Sequence, residues 1–163
     1  MSTTSQKKPL KLVIFYQHEK PPLKKKDSDI LAEKLTAMGH EVTLIDADKV
    51  KILTSDSGDK LEYEGGVIDI ASFDGGMFRA SGPRYVPLAN ALDKNGVITY
   101  QSYPSLLTGT DKIGCKRTFD ANGIPTPKSL AIAHNEGPDG LNGFLNELGQ
   151  GPYVVKQAIG YSG

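Results

Sequence analysis

Lys112, Lys156, Arg79 and the glycine-rich run Gly160-Tyr-Ser-Gly163 are the residues of this chain best suited to chemistry on anions. Lys156 stands in Gly151-Pro-Tyr-Val-Val-Lys-Gln-Ala-Ile-Gly160, a short apolar segment that leads into the glycine run. A strand feeding a Gly/Ser loop brings backbone N–H groups against phosphate, because glycine tolerates positive φ and admits a ligand close to the main chain. Alternation along Tyr153-Val-Val-Lys156 puts the lysine on the face of Val154, where an unpaired cation does not stay buried. It either snorkels off the end of the strand or points at phosphate oxygens beside the loop. The loop has an equally ordinary reading as an exposed turn. Its spacing is not that of the Gly-x-Ser-x-Gly elbow, so a serine-hydrolase nucleophile is not supported.

Lys112 falls in the first turn of an expected helix, where the macrodipole disfavours a cation by roughly 0.3–1 kcal/mol. Asp111 beside it answers that cost as cap and dipole partner. A bound anion is the other answer. Arg79 is expected at the carboxyl end of a strand, where open α/β sheets bind ligands, with Ser81 and Gly82 opening the next helix and offering free N–H groups. These three are the candidates for a substrate carboxylate, against the plain alternative of a surface arginine. The loop from Tyr16 to Lys26 borders the same cleft.

The elements that would position these residues can be read from pattern. Leu12-Val-Ile-Phe-Tyr16 is a continuous apolar run, as expected of a strand buried on both faces of a parallel sheet. A loop with Pro21-Pro22 follows. Asp27-Ser-Asp29 then cap a helix with Leu31, Leu35 and Met38 on one face and Gly39 as terminator. Glu41 to Asp46 reads as a second, parallel strand. Val50 to Thr54 and Lys60 to Glu64 flank a turn composition at Asp56-Ser-Gly-Asp59 and predict a hairpin. Phe73 to Arg79 is a third strand weakened by two glycines. Tyr85, Leu88, Ala89 and Leu92 give a helix opening near Ser81-Gly82-Pro83, and Val97 to Tyr100 a fourth strand. Beyond Gln101 the expectation is a helix over 111–122, ended by Gly123, Pro125 and Pro127, then a strand over 128–133. A helix through Leu141, Phe144, Leu145 and Leu148, capped by Asp139, precedes the terminal strand.

This order predicts an α/β protein: an open, mainly parallel Rossmann-like sheet followed by the start of a second, α+β unit. Residues 1–10 read as a tail, 11–103 as the first domain and 104–163 as an incomplete second one, the boundary falling between Gln101 and Thr108. The 163 residues carry 19 basic and 19 acidic side chains, so no global field recruits nucleic acid or an anionic membrane. The clusters Lys7-Lys8-Lys11 and Lys24-Lys25-Lys26 lack interleaved aromatics and read as solvated loops. One cysteine excludes an internal disulfide, and histidines at 18, 40 and 134 show no zinc spacing. With no apolar leader or membrane-length segment, a cytoplasmic location is expected.

Lys112, the break Gly123-Ile-Pro-Thr-Pro127, and Val154-Val-Lys156 followed by Gly160-Tyr-Ser-Gly163 occur in one order with plausible separations. Together they resemble the ATP-grasp superfamily, and within it the carboxylate-amine ligases such as ribosomal-protein glutamate ligases, glutathione synthetases and D-alanyl-D-alanine ligases. On that resemblance, 11–103 is the α/β domain preceding the ATP-grasp fold, and 104–163 begins its first ATP-binding subdomain. The resemblance implies that Lys112 and Lys156 contact ATP and that Gly160, Tyr161, Ser162 and Gly163 fold over its phosphates as a lid. It implies ligation through an acyl phosphate, with Mg2+ neutralising the phosphates. The second subdomain, the adenine clasp and the magnesium ligands of that family would lie beyond Gly163. No catalytic or metal-binding residue is therefore carried over, and a truncated, inactive fragment with weak or no ATP affinity is expected.

A non-catalytic binding module derived from such an enzyme is the competing reading. A receiver-like domain fits less well, because Gln17-His-Glu19 lacks the paired acids that hold magnesium. A dinucleotide oxidoreductase lacks its Gly-x-Gly-x-x-Gly turn. The second unit, short of sheet partners, is expected to be poorly anchored and prone to self-association. The partners expected of a complete enzyme are a carboxylate and an amine, as small molecules or peptides.

Overall fold

A run of three fully buried residues, Val13, Ile14 and Phe15, each 1% exposed, marks the centre of the fold. In the computed structural model they lie in β1 (Lys11–Tyr16), which is flanked by β2 (Glu41–Asp46) on one side and β6 (Gly75–Arg79) on the other, both parallel to it. The structure describes residues 8–17, 27–54, 59–79, 82, 85–132 and 138–159. The chain divides into two compact units, Met1–Leu106 and Leu107–Gly163.

In the first unit the parallel sheet has the order β2-β1-β6-β7, the last strand being Ile98–Thr99. Helix α1 (Asp27–Ala37) joins β1 to β2, as the sequence pattern requires for a parallel pair. It ends before Gly39, whose φ is +92°. Between β2 and β6 the chain forms a second, antiparallel sheet of β3 (Lys51–Leu53), β4 (Lys60–Tyr63) and β5 (Gly66–Ile68). The expected hairpin is present, although the turn residues 55–58 lie outside the described residues. The third strand, β5, was not anticipated. It is reached through Glu64 (φ +51°) and Gly65 (φ +82°), a two-residue turn of the mirror-image kind that suits the twist of a hairpin and favours glycine.

The third and fourth parallel strands and the helix between them follow the sequence expectation with shorter bounds. Helix α2 (Val86–Lys94) buries Leu88, Ala89, Ala91 and Leu92 against the sheet. These side chains join Val13, Phe15, Ile45, Phe78, Tyr85 and Val97, with Leu61 of β4 and Ile70, in one core. Phe15 and Phe78 are register partners on adjacent strands and stack with ring centroids 5.3 Å apart. Met38, expected on the inner face of α1, is 72% exposed instead, because the helix has ended before it.

The second unit is built differently. Helix α3 (Tyr103–Thr110) was not among the elements expected from the sequence; Pro104 in its first turn suits a helix start. Helix α4 (Lys112–Ala121) matches the expected helix over 111–122, and α5 (Pro138–Leu148) opens one residue before Asp139, the expected cap. Neither expected strand forms. Residues 128–132 and 152–157 have no strand structure, and residue 133 lies outside the described residues. A strand needs neighbours to satisfy its N–H and C=O groups, and none is present for these segments among the described residues. The alternation that was to put Lys156 on the face of Val154 therefore does not operate: Val154 and Val155 are 80% and 88% exposed and Lys156 is exposed. Of the second unit's described side chains only Thr110 is buried.

Candidate functional site

Asp111 and Lys112 open α4, and local chemistry fixes how. Asp111 has the extended backbone of an N-cap (φ −103°, ψ 104°), and its Oδ1 accepts a hydrogen bond from Ile113 N at 2.9 Å. Gly114 makes room for this: a Cβ there would stand 2.9 Å from Asp111 Oδ2. The cap so holds Lys112 as the first helical residue. Its own backbone N–H donates to Ala158 O at 2.9 Å, and Asp111 pairs with Ile159 in an antiparallel bridge. The start of the helix and the segment that enters Gly160 are thus tied together. Asp111→Ala should cost about 1 kcal/mol of local stability. Hydrogen exchange would show it as several-fold faster exchange at Ile113; unchanged exchange would mean the cap does not hold the helix start.

The far end of α4 is held by a separate network. Lys116 Nζ donates to Asp120 Oδ1 and Oδ2 and to Thr126 Oγ1, each at 2.9 Å, and Thr126 Oγ1 donates to Asp120 Oδ1 at 3.0 Å. These bonds from Lys116 and Thr126 hold the Asp120 carboxyl below its usual range. They fold the Gly123–Pro127 break back on the helix. The lone cysteine, Cys115, places Sγ 3.2 Å from Thr108 O within the same unit.

In the first unit the carboxyl ends of three neighbouring strands carry Asp46, Tyr16 and Arg79 in register. Side-chain alternation puts all three on one face, with about 4.8 Å between strands. Arg79 Nη2 donates to Asp27 Oδ2 at 3.1 Å. Asp46 is 2% exposed, and its Oδ1 accepts from Asp48 N at 3.1 Å. Burial, and then the charge of Asp46, push the Tyr16 hydroxyl above its usual range, with smaller contributions from Tyr63, Asp29 and Glu64. Tyr85, behind this edge, donates its hydroxyl to Asp48 Oδ1 at 2.8 Å. Gln101 Oε1 accepts from Phe78 N at 3.2 Å, taking up a donor beyond β7.

Of the candidates read from sequence, Lys112 stands as the first residue of α4, Lys156 in an exposed segment without strand structure two residues before Ala158, and Arg79 at the end of β6. Gly82 has φ +128° and its carbonyl accepts from Tyr85 N at 3.2 Å. It does not begin a helix, because α2 opens later, at Val86, with proline in its first turn. Ser81, Gly160, Tyr161, Ser162 and Gly163 lie outside the described residues. Asp27 was read as a helix cap and Tyr16 as the start of the loop bordering the cleft, neither as a partner of a charged candidate, and Ala158 was not singled out. An open groove of about 730 Å3 lined by Asp29, Ala32, Glu33, Thr36, Ala37 and Leu44 runs beside α1 and contains neither lysine nor Arg79.

No protein-family model and no curated protein matches the chain. Its fold does match a solved structure, a RimK-domain ATP-grasp protein from Sphaerobacter thermophilus, with a TM-score of 0.60 at 17% identity. The fold is that of part of an ATP-grasp protein. The match takes in 86% of this chain and 46% of the other, so the chain spans about half the length of that ATP-grasp protein. The parallel four-stranded sheet with an antiparallel sheet beside it is the α/β architecture expected from the sequence. Among the described residues no group of three or more His, Cys, Asp or Glu is arranged to hold a metal, and no helix is long and apolar enough to cross a membrane.

Proposed function

We propose that this chain is the N-terminal portion of an ATP-dependent carboxylate-amine ligase. The ATP-grasp fold supports the reading. The observation that carries it furthest is the union of the α4 start with Ala158–Ile159, which ties Lys112 to the approach of the glycine run. In this reading Lys112 and Lys156 contact the nucleotide phosphates by charge-assisted hydrogen bonds, and Gly160, Tyr161, Ser162 and Gly163 close over them. ATP would supply the phosphoryl group that converts a carboxylate to an acyl phosphate, from which amine attack forms the amide and releases phosphate. Arg79, with Ser81 and Gly82, receives the carboxylate substrate. Mg2+ belongs to the same chemistry, and no ligand for it is assigned to this chain.

The 163 residues alone should bind ATP weakly or not at all and catalyse no ligation, because among the described residues of the unit holding Lys112 and Lys156 only Thr110 is buried. Its exposed Val154, Val155 and Ile159 suit self-association of the isolated chain. The reaction belongs to the cytoplasm, where ATP is available. The test is ATP-dependent amide formation by the polypeptide in the form isolated from its source. Loss of that activity in Lys112→Ala is expected; ATP-independent behaviour would remove the reading. A second reading, a non-catalytic binding module, is favoured by the contrast between the well-packed first unit and the sparsely packed second. It predicts no turnover under any substrate pairing.

A further inference from the structure

Arg79 leaves β6 at the place where the chain order of the parallel sheet reverses, since β1 and β6 are neighbours with β2 beyond one and β7 beyond the other. Ligands of open α/β sheets sit outside the strand ends at such a point. Among the described residues the guanidinium there donates through one nitrogen, to Asp27 Oδ2 at 3.1 Å. A planar fork able to grip both oxygens of a carboxylate is thus used at a single contact. Both partners face water, with side chains 45% exposed for Arg79 and 79% for Asp27, and an ion pair so exposed contributes little stability. Asp27 is also the first residue of α1, where the helix dipole stabilises its charge whether or not the arginine is near. Releasing it therefore leaves neither a buried charge nor an uncapped helix without its acid.

We propose that Asp27 is an internal competitor at a carboxylate-binding site: its side chain occupies Arg79 until the carboxylate of a small-molecule ligand displaces it and takes the guanidinium in two-point contact. This rests on the reading of Arg79 as a carboxylate contact and adds Asp27 as the residue that sets the affinity. The exchange is one carboxylate for another on a fixed cation. Arg79 then carries a partner when the site is empty, and weakly bound anions with one acceptor gain nothing over Asp27.

Succinate titration of the chain tests this, read from the Nε–H resonance of Arg79 and the backbone amides of Tyr16 and Arg79. Asp27→Asn should tighten succinate binding roughly two- to fivefold, and Arg79→Ala should remove the saturable response. Glu62→Gln is the control. It deletes the same charge from another exposed ion pair, with Lys51 at 2.7 Å, and should leave the affinity unchanged. Equal tightening in Asp27→Asn and Glu62→Gln would reduce the effect to net charge and overturn the proposal. Loss of binding in Arg79→Ala with no change in Asp27→Asn would overturn the competitor role alone and leave the carboxylate reading standing. Saturable binding that survives Arg79→Ala, or no saturable binding in wild type and Asp27→Asn, would overturn both. The nucleotide assignment of Lys112 and Lys156 is untouched by any of these results.

Discussion

Phe78→Ala should destabilise the first unit by about 3–5 kcal/mol, a large part of the 5–15 kcal/mol or so that holds an ordinary domain folded. The ring is 2% exposed and stacks on Phe15 at 5.3 Å with the planes 15° apart. Truncation removes the buried surface of one ring and leaves the other beside a void. The neighbours cannot easily close that void: they sit on β1 and α2, each tied into the sheet or its own helix. A urea midpoint for the first unit would report the loss. Met38→Ala is the control within the same unit, because that side chain is 72% exposed and its removal should stay within about 0.5 kcal/mol. Similar midpoints for the two variants would mean that the core does not lie where the stacked pair places it.

Gly76→Val is expected to cost about 1–3 kcal/mol for the opposite reason, overpacking. A Cβ at Gly76 would already stand 3.3 Å from Val13 Cγ1, 3.4 Å from Leu92 Cδ1 and 3.5 Å from Thr99 Cγ2. Valine adds two further methyl groups to that space, between β1, β7 and the helix α2 that lies over them. Gly76→Ala, with only the Cβ, should cost less, and the order wild type, Ala, Val in thermal midpoint is the check. A valine variant as stable as wild type would show that α2 can lift from the sheet without penalty. Gly75 shows the same crowding, with Leu12 Cδ2 at 3.2 Å and Ile98 O at 3.3 Å.

These two glycines explain part of what the sequence did and did not disclose. Taken locally, Gly75-Gly76 weakens a strand; in the fold it lets a central strand approach its neighbours, a reason that residue pattern does not express. Apolar runs and helical spacing were enough for β1, α1, β2 and α2, because packing against a sheet imposes those periods directly; α4, with no buried side chain, was legible from the Asp111 cap and the Gly123–Pro127 stop instead. The segments at 128–133 and 151–157 misled for the same cause. Apolar content permits a strand, but only a paired neighbour makes one, and none is present there among the described residues. Helix α3 and strand β5 went unread because each is too short, at eight and three residues, for a periodic pattern to stand out.

At the candidate site, the Asp111 cap was legible and its partner was not. The meeting of Lys112 N with Ala158 O joins residues far apart in the chain, as does the Arg79–Asp27 pair, whose members are 52 residues apart. Nothing in the local pattern of either residue announces its partner. Fold class could therefore be read before folding, whereas the contacts that bear on chemistry could not.

The most direct test of the central claim is ATP affinity of the polypeptide as isolated from its source, compared with Lys112→Ala and Lys156→Ala. Loss of a charge-assisted hydrogen bond to phosphate is worth about 1.5–3 kcal/mol, so each variant should bind ATP at least tenfold more weakly. Wild-type affinity in both variants, or no ATP binding by the natural polypeptide, would contradict the ligase reading and leave a binding module built on the parallel sheet.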